Sequence, residues 1–258
     1  MMKLVVTIQR NIQNMKTLLS ILFCFSTVIA NAQNDGWNIS TTTNTNYTGI
    51  VVANGRIGIL PSEKLFKTEQ IILNNVYDKE SPLGVSRILL GINFGNLEME
   101  IDGEKVTEDN ISNWSQTLNM KEAYFNTSFT FKDKAEISYK IYALRNVPYT
   151  GYFDFKVDAK KDISIKATGI IETPAEYKDP ISTYRVLRDA EVTMPILQTV
   201  AKSRLGRHIV GTTATFIWHG INSGDEHQRP ELIHKKISEY NNQLSFEKEI
   251  KSDETLEF

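Results

Sequence analysis

The sequence predicts an all-β protein, a large antiparallel β-sandwich, and three observations carry that expectation. Apolar residues recur with period two along most of the chain from Asn46 onward. Asn-Gly and Asp-Gly pairs fall between such runs, where hairpins turn. Almost nowhere do apolar residues recur at helical spacing, and short strands separated by polar turns pack as two sheets.

Taken in order, the first element is a hairpin around Asn54-Gly55, which separates Ile50-Val51-Val52 from Ile57-Gly58-Ile59-Leu60. A two-residue type I′ turn is expected there, with φ > 0 at both positions. The glycines at 49, 55 and 58 fit neither G-x-G-x-x-G nor G-x-x-x-x-G-K-[ST], and Pro61 follows, so a phosphate-binding loop is excluded. A strand over Leu97 to Ile101 closes on a second type I′ pair, Asp102-Gly103. Phe125, Thr127, Phe129 and Phe131 then share one face. Ile137, Tyr139, Ile141 and Ala143 share the next, and Gly151, Phe153, Phe155 and Val157 the third, which predicts a three-stranded meander. Further strands are expected at Ile163 to Ala167, Thr212 to Trp218 and Gln243 to Phe246. The charged, proline-bearing stretch from Glu172 to Met194 is expected to be a long connection between sheets. After a turn at Lys251-Ser252-Asp253 the chain begins another strand that stops at Phe258, so the sequence reads as a β domain truncated at its C-terminal end.

The first 32 residues read differently. Residues 15 to 32 carry Lys16, an apolar stretch from Leu18 to Ile29 and a small-x-small end at Ala30-Asn31-Ala32, the pattern of a cleaved secretory signal. Met15 is then the natural start and residues 1 to 14 a mis-assigned one, leaving 33 to 258 as the N-terminal β-sandwich domain. The apolar stretch is too short to span a bilayer, which takes roughly twenty residues, so no membrane span is expected in the mature chain. The one cysteine, Cys24, lies inside the signal and follows Phe23 rather than the small residue that lipid attachment needs. An exported, periplasmic or extracellular chain without cysteine must be stable through its core alone. Cleavage leaves 26 basic and 31 acidic residues, a net charge of −5, and no basic field that would attract nucleic acid.

Few residues suggest chemistry. The histidines at 208, 219, 227 and 234 make no ligand spacing, so neither a metal nor a cofactor is expected. Gly84-Val85-Ser86-Arg87 lacks the last glycine of a nucleophile elbow. Glu98, Glu100, Asp225 and Glu226 could serve glycoside hydrolysis, which needs only two facing carboxylates, but outward strand or loop positions account for them as well. Trp37, Trp114 and Trp218 could be flat platforms for a sugar ring, although large aromatics mostly pack inward. Trp114, in the turn-like "EDNISNWSQTLNM", is the candidate substrate-binding residue. Five N-x-[ST] sites, at Asn38, Asn46, Asn110, Asn113 and Asn126, matter only in a host that glycosylates them.

Several segments in order resemble the N-terminal domain of glycoside hydrolase family 65, which contains maltose, kojibiose and trehalose phosphorylases and related α-glucosidases. They are Trp37, "VVANGRIG", "ILNNVYDKESP", "LEMEIDG", "SNWSQTLNMKEAYFNTSFTF" and "AEISYKIYAL", with the family's N-G-x-x-G hairpin, I-D-G turn and Q-x-L-[DN]-M run. The resemblance runs from residue 37 to 157 and weakens beyond about residue 160. It implies a super-β-sandwich packed on a helical (α/α)6 barrel that holds the active site, with an α-glucoside as ligand and inversion by a glutamic acid and a second carboxylate of that barrel. No barrel is present in this chain, so no catalytic residue of the family has a position here and the barrel is expected downstream. Export favours hydrolysis, because a phosphorylase conserves bond energy only where the sugar phosphate stays in the cytoplasm. A stand-alone carbohydrate-binding or adhesion module would account for the same aromatic-rich strands.

Overall fold

The computed structural model describes residues 36–43, 49–188, 193–218 and 229–258, and the signal segment, Asn46, His219, Asp225, Glu226 and His227 lie outside them. The described residues form strands and a single 3-10 turn, Glu108–Asn110. No helix among them is long and apolar enough to cross a membrane, which says nothing of a β-barrel.

In chain order the strands are β1 (Asn38–Thr41), β2 (Val52–Ala53), β3 (Ile57–Pro61), β4 (Thr68–Lys79), β5 (Ser86–Leu90) and β6 (Asn93–Ile101). There follow β7 (Glu104–Lys105), β8 (Ile111–Asn119), β9 (Tyr124–Phe131), β10 (Ala135–Ala143), β11 (Gly151–Ala159) and β12 (Ile163–Glu172). The last are β13 (Lys178–Arg188), β14 (Thr193–Lys202), β15 (Ile209–Ala214), β16 (Ile233–Ser238), β17 (Asn241–Ile250) and β18 (Thr255–Glu257). They pair antiparallel in sheets ordered β1-β8-β9-β10-β11-β18, β16-β17-β12-β6-β7, β2-β3-β4-β5 and β13-β14-β15.

The expected meander is present: β10 pairs with β9 and with β11, Ile137 lying between Phe129 and Val157. Its alternating residues are buried, and they face Leu97, Met99 and Ile101 of β6, Ile163, Ile165 and Ala167 of β12, and Phe246 and Ile250 of β17. The two sheets thus share one core, as a sandwich requires. Ile57, Ile59, Phe66 and Ile71 from the β2–β5 sheet and its loops close the same core. Rings tie the layers: Tyr139 stacks on Phe155 at 5.6 Å, Phe155 on Phe258 at 5.1 Å, and Phe258 meets Phe246 edge-on at 5.0 Å. A smaller core, with Ile92, Tyr177, Leu197 and Leu244, lies beneath the β13–β15 sheet. Gly95 is fixed by close approach, because a Cβ there would lie 2.3 Å from Thr68 Oγ1 and 2.6 Å from the Phe153 ring.

The turns divide. Asp102 and Gly103 have φ of 52° and 76° between paired Ile101 and Glu104, the expected type I′ geometry. The first hairpin is also present, but its turn is not type I′: Ala53 pairs with Gly58, and only Gly55 has positive φ. Asn54 builds a wider Asx turn instead, its Oδ1 accepting from the N–H of Arg56 at 2.8 Å and of Ile57 at 3.0 Å. Its Nδ2 donates to Leu144 O at 2.6 Å, a contact with the β10–β11 loop that local sequence does not show. Glu172 to Met194 is not a connection, since β13 and β14 run through it as a hairpin. The strand expected over Thr212 to Trp218 lies earlier, at β15, and those over Leu97 to Ile101 and Ile163 to Ala167 extend further, as β6 and β12.

Candidate functional site

The residues singled out in the sequence do not converge. Trp114 lies in β8, inside the bulge between Ser112 and Ser115 where Asn113 takes φ of 54°. It is half-buried against the main core rather than held out in a turn. Trp218 is buried in that core, whereas Trp37 is 53% exposed. Glu98 and Glu100 point outward from β6. Glu98 Oε1 lies 3.0 Å from Lys105 Nζ and 3.5 Å from Lys67 Nζ, and Glu100 is 3.9 Å from Lys166. Burial pushes the Glu98 carboxyl up, but the two lysines outweigh it and hold the group below its ordinary value. A general acid for glycoside cleavage needs the opposite shift.

His208 and His234 serve the fold. His208 Nε2 is 2.9 Å from Tyr77 O, and His234 stacks on Tyr184 at 4.8 Å with its Nε2 2.8 Å from Asn242 Oδ1. No group of three His, Cys, Asp or Glu among the described residues could hold a metal ion.

Two cavities among the described residues bear on binding. One, of about 650 Å³, is lined by Phe94, Phe153, Phe216, Leu144, Met194 and Ile196 and is continuous with the core. The other, of about 790 Å³, is polar and opens between the β3–β4 loop and the turn after β12. Lys67, Gln70, Asn96, Glu172 and Tyr240 line it, with Ile71 and Leu90. Trp114 lines neither. The floor of the polar cavity is ordered by hydrogen bonds: Asn96 Oδ1 accepts from the Thr68 N–H at 2.9 Å, so its Nδ2 is turned to Glu172 Oε2 at 3.0 Å. Sequence reading missed these residues because they come from β4, β6, the end of β12 and the β16–β17 turn, with no spacing that links them.

No family model matches the chain. It is 31% identical over 226 residues to a kojibiose hydrolase of Flavobacterium johnsoniae, covering 87% of this chain and 33% of that protein. It is 30% identical over 213 residues to a kojibiose hydrolase of Mucilaginibacter mallensis, covering 83% of this chain and 31% of that one. Among solved structures, a "Putative kojibiose phosphorylase from human microbiome" superposes with a TM-score of 0.57 at 10% identity, over 87% of this chain and 32% of its own. That likeness shows the shared β-sandwich fold. The chain spans about a third of the length of the curated relatives it matches. The resemblance to the N-terminal domain of glycoside hydrolase family 65, read first from short motifs, therefore holds over most of the chain and well beyond residue 160.

Proposed function

We propose that this chain is the N-terminal sandwich domain of an exported enzyme that hydrolyses α-glucosides, glucose-containing disaccharides or glycan ends, with inversion. The alignment with two kojibiose hydrolases along more than four-fifths of the chain carries the reading. The relatives are about three times as long, which supports a catalytic barrel in the part of the protein they have beyond this match. In that barrel a glutamic acid protonates the leaving oxygen. A second carboxylate, roughly 6.5–9.5 Å away, activates a water on the opposite face of the sugar. The signal pattern at 15 to 32 supports export, and with it water rather than phosphate as the nucleophile. This chain supplies a rigid β domain held without disulfides.

The test is the intact mass of the exported product, captured with an antibody to residues 33 to 258, together with its action on kojibiose. A mass near three times the 29.4 kDa of this chain, with glucose released from kojibiose, is the expected result. The 258-residue chain alone should release none. A mature product no longer than this chain would overturn the enzyme reading and leave a carbohydrate-binding module, for which loss of binding in Trp114→Ala is the first check.

A further inference from the structure

We infer that the polar cavity between the β3–β4 loop and the turn after β12 is a binding site for the end of a neutral saccharide. The inference deepens the carbohydrate reading above but rests on this chain's own residues.

Its volume, about 790 Å³, falls in the range of small-molecule sites. Its charged groups are Glu63, Glu69 and Glu172 against Lys64 and Lys67, and Lys67 already faces Glu98 at 3.5 Å. An anion would meet a net negative wall, which disfavours phosphates and acidic sugars. A metal ion finds no set of three ligands among the described residues. What the wall offers is hydrogen bonding in both senses. Among the described residues the Glu172 carboxylate accepts from Asn96 alone and keeps lone pairs to spare, while Gln70, with donor and acceptor on one group, has no side-chain partner. The Asn96–Glu172 pair is held by the Thr68 backbone before any ligand arrives, so little ordering is needed on binding. Thr173, in the same wall, keeps a buried hydroxyl without a partner among the described residues, a group that native interiors seldom leave unspent. Beside these lie the apolar surfaces of Ile71, Leu90 and Pro174 and the ring of Tyr240, which is 40% exposed. A sugar presents the matching pair of faces, a rim of hydroxyls that donate and accept and a C–H face that packs on an aromatic ring.

The test is calorimetric titration of the full 258-residue chain with kojibiose, maltose and trehalose, with inorganic phosphate as the anionic probe. At least one disaccharide should bind saturably and phosphate should not. Glu172→Gln should weaken binding about tenfold, as loss of a hydrogen bond to a charged group does, and Gln70→Ala about fivefold, as loss of a neutral one does. Tyr240→Phe should keep the affinity and Tyr240→Ala lose it, with melting curves confirming that each variant folds. No binding by any disaccharide at millimolar concentration overturns the inference. So does binding that survives Gln70→Ala, Glu172→Gln and Tyr240→Ala, or that Trp114→Ala alone abolishes. Each result is independent of the mass and glucose release that test the enzyme reading.

Discussion

In β10, Ala135, Ile137, Tyr139 and Ile141 are buried and the residues between them are partly open to solvent; in β13 the order is inverted. There Pro180 and Ser182 are buried while Ile181, Val186 and Leu187 are exposed, Ile181 by 62%. Both strands pair antiparallel along their length, so the ladders do not explain the contrast. The facing surfaces do. β10 meets the apolar faces of β6, β12 and β17, whereas β13 is an edge strand set against side chains that hydrogen-bond. Ser182 Oγ lies 2.9 Å from Thr199 Oγ1 and donates to Glu239 O at 2.8 Å, and its N–H donates to Glu239 Oε2 at 3.0 Å. Asn242, fully buried, donates from Nδ2 to Thr183 O at 3.1 Å. The meander is held by buried area, whereas β13 adds directed polar contacts to the smaller core beneath its sheet, which predicts different failures for the two.

The largest effect belongs to the apolar side. Phe246→Ala removes a fully buried ring that meets Phe216, Trp218 and Phe258, and should cost about 3–5 kcal/mol in denaturant unfolding, lowering the stability of the whole domain. A loss confined to amides of β13–β15 would break the comparison. Asn242→Ala should cost less, about 1–3 kcal/mol, because it removes a fully buried carboxamide that bonds the half-buried Thr183 carbonyl. Its mark should be local: amides of β13 and β14 exchange faster in hydrogen exchange while those of β9 to β11 keep their protection.

The smallest effect is conditional on pH. Asp78, buried on β4, takes a hydrogen bond from the Ser203 side chain, and this, with the N–H groups of Lys79 and Leu205, holds its carboxyl below the ordinary 3.8 against the opposing pull of burial. It joins β4 to the β14–β15 turn, where the His208 N–H also donates to Ser203 Oγ at 3.2 Å. A depressed folded-state value means that the stabilisation is present above 3.8 and is lost as pH falls through the folded value. Melting temperatures of the parent and Asp78→Asn should therefore differ at neutral pH and converge in acid. A gap that stays constant into acid would show that the carboxylate charge plays no part in the latch.

The same contrast sets what could be read from the chain. Phe125 to Phe131, Ile137 to Ala143 and Phe153 to Val157 alternate strictly because one face of each strand is buried in apolar surroundings, and the meander follows from that period. Asp102-Gly103 could be read locally, since its two left-handed residues match the type I′ pattern, although the Asp102 carboxylate also accepts from the Ser164 N–H and from Lys134. Asn54 could not, because its carboxamide reaches Leu144, ninety positions away. Glu172 to Met194 looked like a connection because Ser182 is buried by Thr199 and Glu239, partners that no local pattern announces. The polar cavity was invisible for the same reason, its Asn96 and Glu172 standing 76 positions apart. Local periodicity and turn chemistry thus determined the fold class and the central sheet, because apolar burial acts residue by residue along a strand. The edge sheet, the aim of the first hairpin and the place where a ligand can sit were decided only by tertiary structure, because a hydrogen bond between distant residues leaves no period in the sequence.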